Sequence, residues 1–188
     1  MHIVGITGLA GSGKSEIGKY LLAKRFPVID CDKLGHQVLS EDSPVKNQIM
    51  NLFGTLDRQL IGEIVFKDSK KLLQLEAISH PEIKRLLMVE LKKYEQQHAQ
   101  MVFVEAGVLF KMDIADLFNE IWLLECAPEI LEARLLQRGW SAAHIKDRLN
   151  ANENLWQHRH QVHKTLRNDG DIATLLAQVE RYLPALAR

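Results

Sequence analysis

With 188 residues, the chain fits one compact domain with a small inserted lobe, and burying roughly 70% of its unfolded surface leaves no need for a disulfide or a metal. Lysine plus arginine balance aspartate plus glutamate at 24 each, which argues against a nucleic-acid coat protein and against electrostatic adhesion to membranes. Hydrophobic residues are 46% and charged residues 26%, as in soluble globular proteins, and the two cysteines, Cys31 and Cys126, form no CxxC pair, so redox and metal motifs are absent and two reduced, mostly buried thiols of a cytoplasmic protein are expected.

The N-terminus runs straight into a β-branched stretch, His2 to Thr7, with no charged leader region before it. No apolar run approaches the length of a membrane span. Lys14 to Lys24 has helical spacing, with Ile17, Leu21 and Leu22 expected on one face. Pro27 to Asp30, Met101 to Val104 and Ile121 to Leu124 read as further strands, and Val162 to Leu166 as a weaker fifth. Near-continuous apolar strands separated by helices predict an α/β fold with a parallel sheet covered on both faces.

The stretch from about 43 to 97 breaks that rhythm and reads as helix after helix, a lobe inserted between the second and third strands. The expected core is then about 1–42 with 98–188. Ser43-Pro44 is expected to open one helix, Asp57 to cap the next, and His80-Pro81 to open a long one carrying Ile83, Leu86, Leu87 and Leu91. Pro128 starts another, whose arginine-rich end is interrupted at Gly139-Trp140-Ser141. The last helix is expected from about Asp171 to Leu186.

Gly8-Leu9-Ala10-Gly11-Ser12-Gly13-Lys14-Ser15 matches GxxxxGK[ST] in full, between a strand and a helix. Inward-turned amides and a helix N-terminus suit a polyphosphate. Lys14 is expected on the β- and γ-phosphates and Ser15 on Mg²⁺. The chain is too short for most motor architectures and carries no NKxD guanine-reading motif, so ATP-dependent transfer to a small-molecule hydroxyl is favoured over a switch or a motor. Asp30 and Asp32 follow the second strand, whose C-terminal end faces the ligand crevice in open α/β sheets. If the strand persists, both face one side; one accepts a proton from the attacking hydroxyl and the other holds Mg²⁺ or its water. Alternatively one of them caps the helix expected to start at Lys33.

These residues resemble the dephospho-CoA kinase family over nearly the whole chain. The family pattern is matched by Gly5 to Ser15, by Val28 to Asp32, by Leu56-Asp57-Arg58, by Val65-Phe66-Lys67-Asp68 and by Leu75-Glu76-Ala77-Ile78-Ser79-His80-Pro81. Asn168-Asp169-Gly170 resembles the family's asparagine-glycine turn near the adenine. The resemblance implies a five-stranded parallel sheet, a helical lobe for the CoA moiety and an arginine-bearing lid at about 134–156. It implies ATP-dependent phosphorylation of the ribose 3′-hydroxyl of dephospho-CoA, the last step of CoA synthesis. Asp32 then matches the general base, Arg58 and His80 the substrate lobe, and Arg138 a lid arginine near the transferring phosphates. Gly11, Ser12, Gly13, Lys14, Ser15, Asn168 and Gly170 match the nucleotide site, Glu16 takes a place in it where the family usually has threonine, and Mg²⁺ is expected on Ser15 and, through water, on Asp30. Arg134 and Arg148 are weaker candidates that read equally well as exposed helix charges. A monomer or weak homo-oligomer acting on small molecules, not nucleic acid or membrane, is expected.

The sequence departs from the family at Glu16, His36, Gly107, Lys111, Asn152 and His163, and is shorter between Gly54 and Leu56. These departures leave open a nucleotide-binding module without catalysis, or a kinase for another nucleoside or nucleotide acceptor. His158, His160 and His163 point apart on a helix and make no metal site. Trp122 is expected in the core, Trp140 and Trp156 in packing beside the lid, and Lys67 to Lys71 on a solvated helix face.

Overall fold

The computed structural model describes residues 1–40, 42–142, 145 and 153–183. Among these, five strands form one sheet: β1 (His2–Gly8), β2 (Val28–Asp30), β3 (Met101–Glu105), β4 (Glu120–Glu125) and β5 (Lys164–Arg167). Their order is β2-β3-β1-β4-β5, and the sheet is the five-stranded parallel one that the sequence predicts. Ile6 of β1 stands beside Glu105 on one side and Trp122 on the other, so the exit of the first strand lies in the middle of the sheet.

Alternation along β1 explains why its sequence is apolar without a break. Val4 and Ile6 join a buried cluster with Phe103, Trp122, Leu124 and Leu166, covered by Ile17 and Leu21 of α1 (Lys14–Ala23) and by Leu175 and Val179 of α8 (Ile172–Tyr182). Gly5 faces the other way, where an added Cβ would lie 2.8 Å from Leu109 Cδ1 and 3.0 Å from the Phe118 ring. Each large apolar side chain buried in such a layer contributes about 1.5–3 kcal/mol. Trp122 is core as expected; its indole N–H donates to Glu120 Oε2 at 2.8 Å. Leu22, expected beside Ile17 and Leu21, is 56% exposed. The helical step of about 100° per residue turns it off the stripe that Ile17 and Leu21 share.

The chain divides into two compact units, residues 1–29 with 94–188 and residues 30–93. The second is helical: α2 (Cys31–Val38), α3 (Lys46–Phe53), α4 (Arg58–Lys67) and most of α5 (Ser69–Gln96). Asp57 caps α4, accepting from Gln59 N at 2.8 Å and Leu60 N at 3.0 Å. Three expectations for this unit need correction. Helix α3 opens at Lys46 rather than at Ser43-Pro44, because Ser43 and Pro44 make a turn in which the Val45 N–H donates weakly to Ser43 Oγ at 3.4 Å. Pro81 lies inside α5 instead of opening it. Helix nucleation upstream by Asp68, which accepts from Lys70 N and Lys71 N, carries the helix through the proline, with Ile83, Leu87 and Leu91 buried beyond it. Lys71 is not merely solvated: its Nζ donates to Leu52 O at 3.0 Å and sits over the Phe53 ring.

In the first unit, α6 (Pro128–Gln137) begins with Pro128 at its first position. It ends in a Schellman pair, Trp140 N to Leu135 O at 3.1 Å and Gly139 N to Leu136 O at 2.9 Å. Helix α7 (Glu153–Gln157) and a 3₁₀ turn (Arg159–Gln161) lead to β5. Arg148, Asn152, Leu186 and part of the expected lid lie outside the described residues. Among the described residues, no helix is long and apolar enough to cross a membrane.

Candidate active site

Strand β1 delivers the chain to the loop 8–13, and α1 starts at Lys14 with Gly13 as its N-cap. Gly13 has φ 106°, and a Cβ there would fall 2.4 Å from Asn168 Nδ2. Only glycine meets both conditions at low cost. Lys14 reaches back over the loop, its Nζ donating to Gly8 O at 2.9 Å and Leu9 O at 3.1 Å. Ser15 is exposed on the first turn of α1. Thr7 Oγ1 and Ser12 Oγ are buried with no hydrogen-bond partner among the described residues.

Glu16, the carboxylate that would disfavour a phosphate nearby, is paired with Lys19 at 2.7 Å. Gly107 stands beside Lys14, whose Nζ would be 3.7 Å from a Cβ added at that glycine. One turn further along α1, Gly18 admits Glu105: a Cβ on Gly18 would lie 1.6 Å from Glu105 Oε1. The ends of β1 and β3 thus bring Lys14, Gly107 and Glu105 into one neighbourhood.

The turn after β5 is fastened to the same loop. Asn168 is buried, and its Nδ2 donates to Ser12 O at 2.7 Å. Arg134 of α6, which reads from sequence equally well as a weaker site candidate and as an exposed helix charge, is half-buried and donates to Asn168 Oδ1 at 3.3 Å and Gly170 O at 3.4 Å. Its Nη1 also approaches Cys126 Sγ at 3.4 Å. Burial pushes the Cys126 thiol up in pKa, with Arg134 opposing, so the thiol keeps its proton and donates to Asn168 O at 3.1 Å. The only sequence signal for Arg134 is its place four residues before Arg138, and Arg138 itself is exposed at the α6 C-cap. A cavity of about 590 Å³ opens beside the loop, lined among others by Leu9, Cys126, Pro128, Leu131, Trp156 and Arg159. Arg159 lies over the Trp156 ring and pairs with Glu125.

The remaining sequence-selected residues belong to the unit 30–93. Strand β2 ends at Asp30, so the two acids do not share a strand face. Asp30 caps α2, its Oδ1 accepting from Asp32 N at 2.9 Å and Lys33 N at 3.3 Å. Helix α2 starts at Cys31, not at Lys33. Asp32, on its first turn, is exposed and has no partner for its carboxylate among the described residues. Arg58 is exposed at the start of α4, and His80 is half-buried within α5. Among the described residues no cluster of histidine, cysteine and carboxylate could hold a metal. His158 and His160 do not point apart as a helix would place them: they stack at 6.3 Å in the 3₁₀ turn, with Phe110 stacked on His158 at 5.0 Å. His163 accepts from Ile121 N at 3.1 Å.

Residues 2–174 match the family model described as dephospho-CoA kinase. A dephospho-CoA kinase of Dehalococcoides mccartyi is 34% identical over 167 residues, which cover 82% of this chain and 84% of that one. The crystal structure of TT1252 from Thermus thermophilus is similar with TM-score 0.80 and 31% identity over 98% of each chain. A dephospho-CoA kinase structure from Campylobacter jejuni shares the fold, with TM-score 0.67 and 19% identity over 96% of each chain. A match over that much of the chain shows that the chain belongs to the dephospho-CoA kinase family.

Proposed function

We propose that the protein transfers the γ-phosphoryl group of ATP to the ribose 3′-hydroxyl of dephospho-CoA, giving CoA and ADP, the last step of CoA synthesis. The observation that carries this reading is the family match over residues 2–174, which takes in both the loop and the helical unit. The loop amides and Lys14 bind the triphosphate, and Lys14 offsets charge on the oxygens between the β- and γ-phosphorus as the bond breaks. Asp32 accepts the 3′-hydroxyl proton as the oxygen attacks the γ-phosphorus, and ADP departs. Asp32 is favoured over Asp30 as that base because Asp30 Oδ1 is spent on two backbone amides, whereas the Asp32 carboxylate is exposed.

Arg58 and His80 serve the acceptor, Arg138 the transferring phosphates, and the Asn168–Gly170 turn the nucleotide; arginine suits charge spread over a phosphoryl group. Mg²⁺ favours oxygen donors. The exposed Ser15 hydroxyl is one such donor, and in this reading Asp30 adds a contact through water. Bound there, Mg²⁺ would neutralise phosphate charge. The same reading makes this a cytoplasmic enzyme of small molecules, a monomer or weak homo-oligomer. An acceptor panel tests it: turnover with dephospho-CoA and none with nucleoside monophosphates is expected. Preference for a nucleoside monophosphate would overturn the assignment of the acceptor.

A further inference from the structure

We propose that Asn168 is a positioning residue that fixes the Ser12–Gly13 peptide plane, and with it the direction of one phosphate-binding amide. The inference rests on the loop's role as the polyphosphate site. A trans peptide is planar, with its C=O and N–H pointing opposite ways. Asn168 Nδ2 holds Ser12 O at 2.7 Å in a buried bond. The Gly13 N–H is therefore directed away from Asn168, and no acceptor for it is found among the described residues. Such an amide, next to a residue with φ 106° and the start of α1, is an anion donor. Were the plane reversed, Ser12 O would point where the phosphates bind and repel them.

The orientation of the Asn168 amide is itself specified. Arg134 has only donors, so the group facing it at 3.3 Å must be the Asn168 oxygen. That leaves the NH₂ group to face Ser12 O, a carbonyl that needs a donor. The backbone of Asn168 is fixed independently: its N–H donates to Glu125 O at 2.9 Å, and its carbonyl accepts from Cys126 Sγ at 3.1 Å. Gly13 completes the arrangement, since any Cβ there would displace the Asn168 amide. Asn168 thus acts through the loop's own amides, with no need to touch a nucleotide.

The test is calorimetric binding of ATP and of pyrophosphate to the full chain, as wild type, Asn168→Asp, Asn168→Ala and Arg134→Gln, with steady-state kinetics alongside. Asn168→Asp sets a carboxylate oxygen against Ser12 O. It is expected to weaken both ligands by about tenfold or more, as loss of a buried hydrogen bond implies. KM for ATP should rise while KM for dephospho-CoA stays within about twofold, a split that a general loss of stability would not produce. Asn168→Ala should follow, and Arg134→Gln should give a smaller loss in the same direction. If the Asn168 variants do not fold, Arg134→Gln decides: an affinity for pyrophosphate equal to wild type overturns the inference. Variants that lose affinity for ATP but keep it for pyrophosphate also overturn it, because the effect would then lie at the base. A wild type that binds neither ligand overturns the functional reading and this inference together. Folded variants that bind both ligands as well as wild type overturn this inference alone.

Discussion

Replacing Gly18 by alanine separates local helix preference from packing, because the two oppose each other at this position. Gly18 is interior to α1, where alanine is worth about 1 kcal/mol more than glycine. An added Cβ would however lie 1.6 Å from Glu105 Oε1 and 2.8 Å from its Cδ. The obstruction is the end of a flexible side chain, so Glu105 swings away and gives up its half-buried place, and overpacking of that kind costs about 1–3 kcal/mol. The net effect of Gly18→Ala is a loss of about 0–2 kcal/mol. In a Glu105→Ala background the obstruction is gone and the same change gains about 1 kcal/mol. The coupling between the two sites is then about 1–3 kcal/mol. For a chain of this size 1 kcal/mol moves the melting temperature by roughly 2–4 °C, within reach of calorimetry or circular dichroism on the four proteins of the cycle. An equal rise in melting temperature in both backgrounds would refute the packing of Glu105 against Gly18.

The remaining predictions are separable by assay. Lys14→Ala removes a charge held over the loop by Gly8 O and Leu9 O, and turnover should fall by roughly 10²–10³-fold; wild-type turnover would remove the loop from the mechanism. Asp32→Asn should lower kcat by roughly 10²–10⁴-fold with little change in melting. Asp30→Ala should instead cost about 1 kcal/mol of stability through the lost α2 cap. Reversed outcomes for the two acids would exchange their roles. Hydrogen bonds from Arg85 hold the Glu82 carboxyl below its usual 4.5, with burial opposing. A depressed carboxylate contributes stability that is present above 4.5 and is lost as pH falls through its lower folded value. As pH falls from 4.5 through that lower value, melting of Glu82→Gln should therefore depend less on pH than melting of wild type; parallel pH profiles would contradict the pairing.

Much of the framework is legible in the sequence because it is dictated locally. The GxxxxGK[ST] spacing, the unbroken apolar strands, Pro128 at a helix start and Asp57 before Arg58 each carry their own physical signature. What the sequence hides is set by partners distant along the chain. Pro81 reads as a helix start, yet α5 runs through it from a nucleus at Asp68. The Asp30–Asp32 spacing suggests a shared strand face, but the strand ends at Asp30, two residues earlier than that requires. Arg134 reads equally well as a weaker site candidate and as a surface charge because nothing near it in sequence announces Asn168, 34 positions away. The relative placement of His158 and His160 is missed for a different reason: a helix is assumed where the chain makes a 3₁₀ turn.

The most direct measurement is the identity of the product formed from dephospho-CoA and ATP labelled on its γ-phosphoryl oxygens, read by mass spectrometry and phosphorus NMR. The account predicts CoA carrying the whole label on a phosphate at the ribose 3′ position, with ADP as co-product. Bound ATP with no labelled CoA, or label on any other hydroxyl, would contradict it.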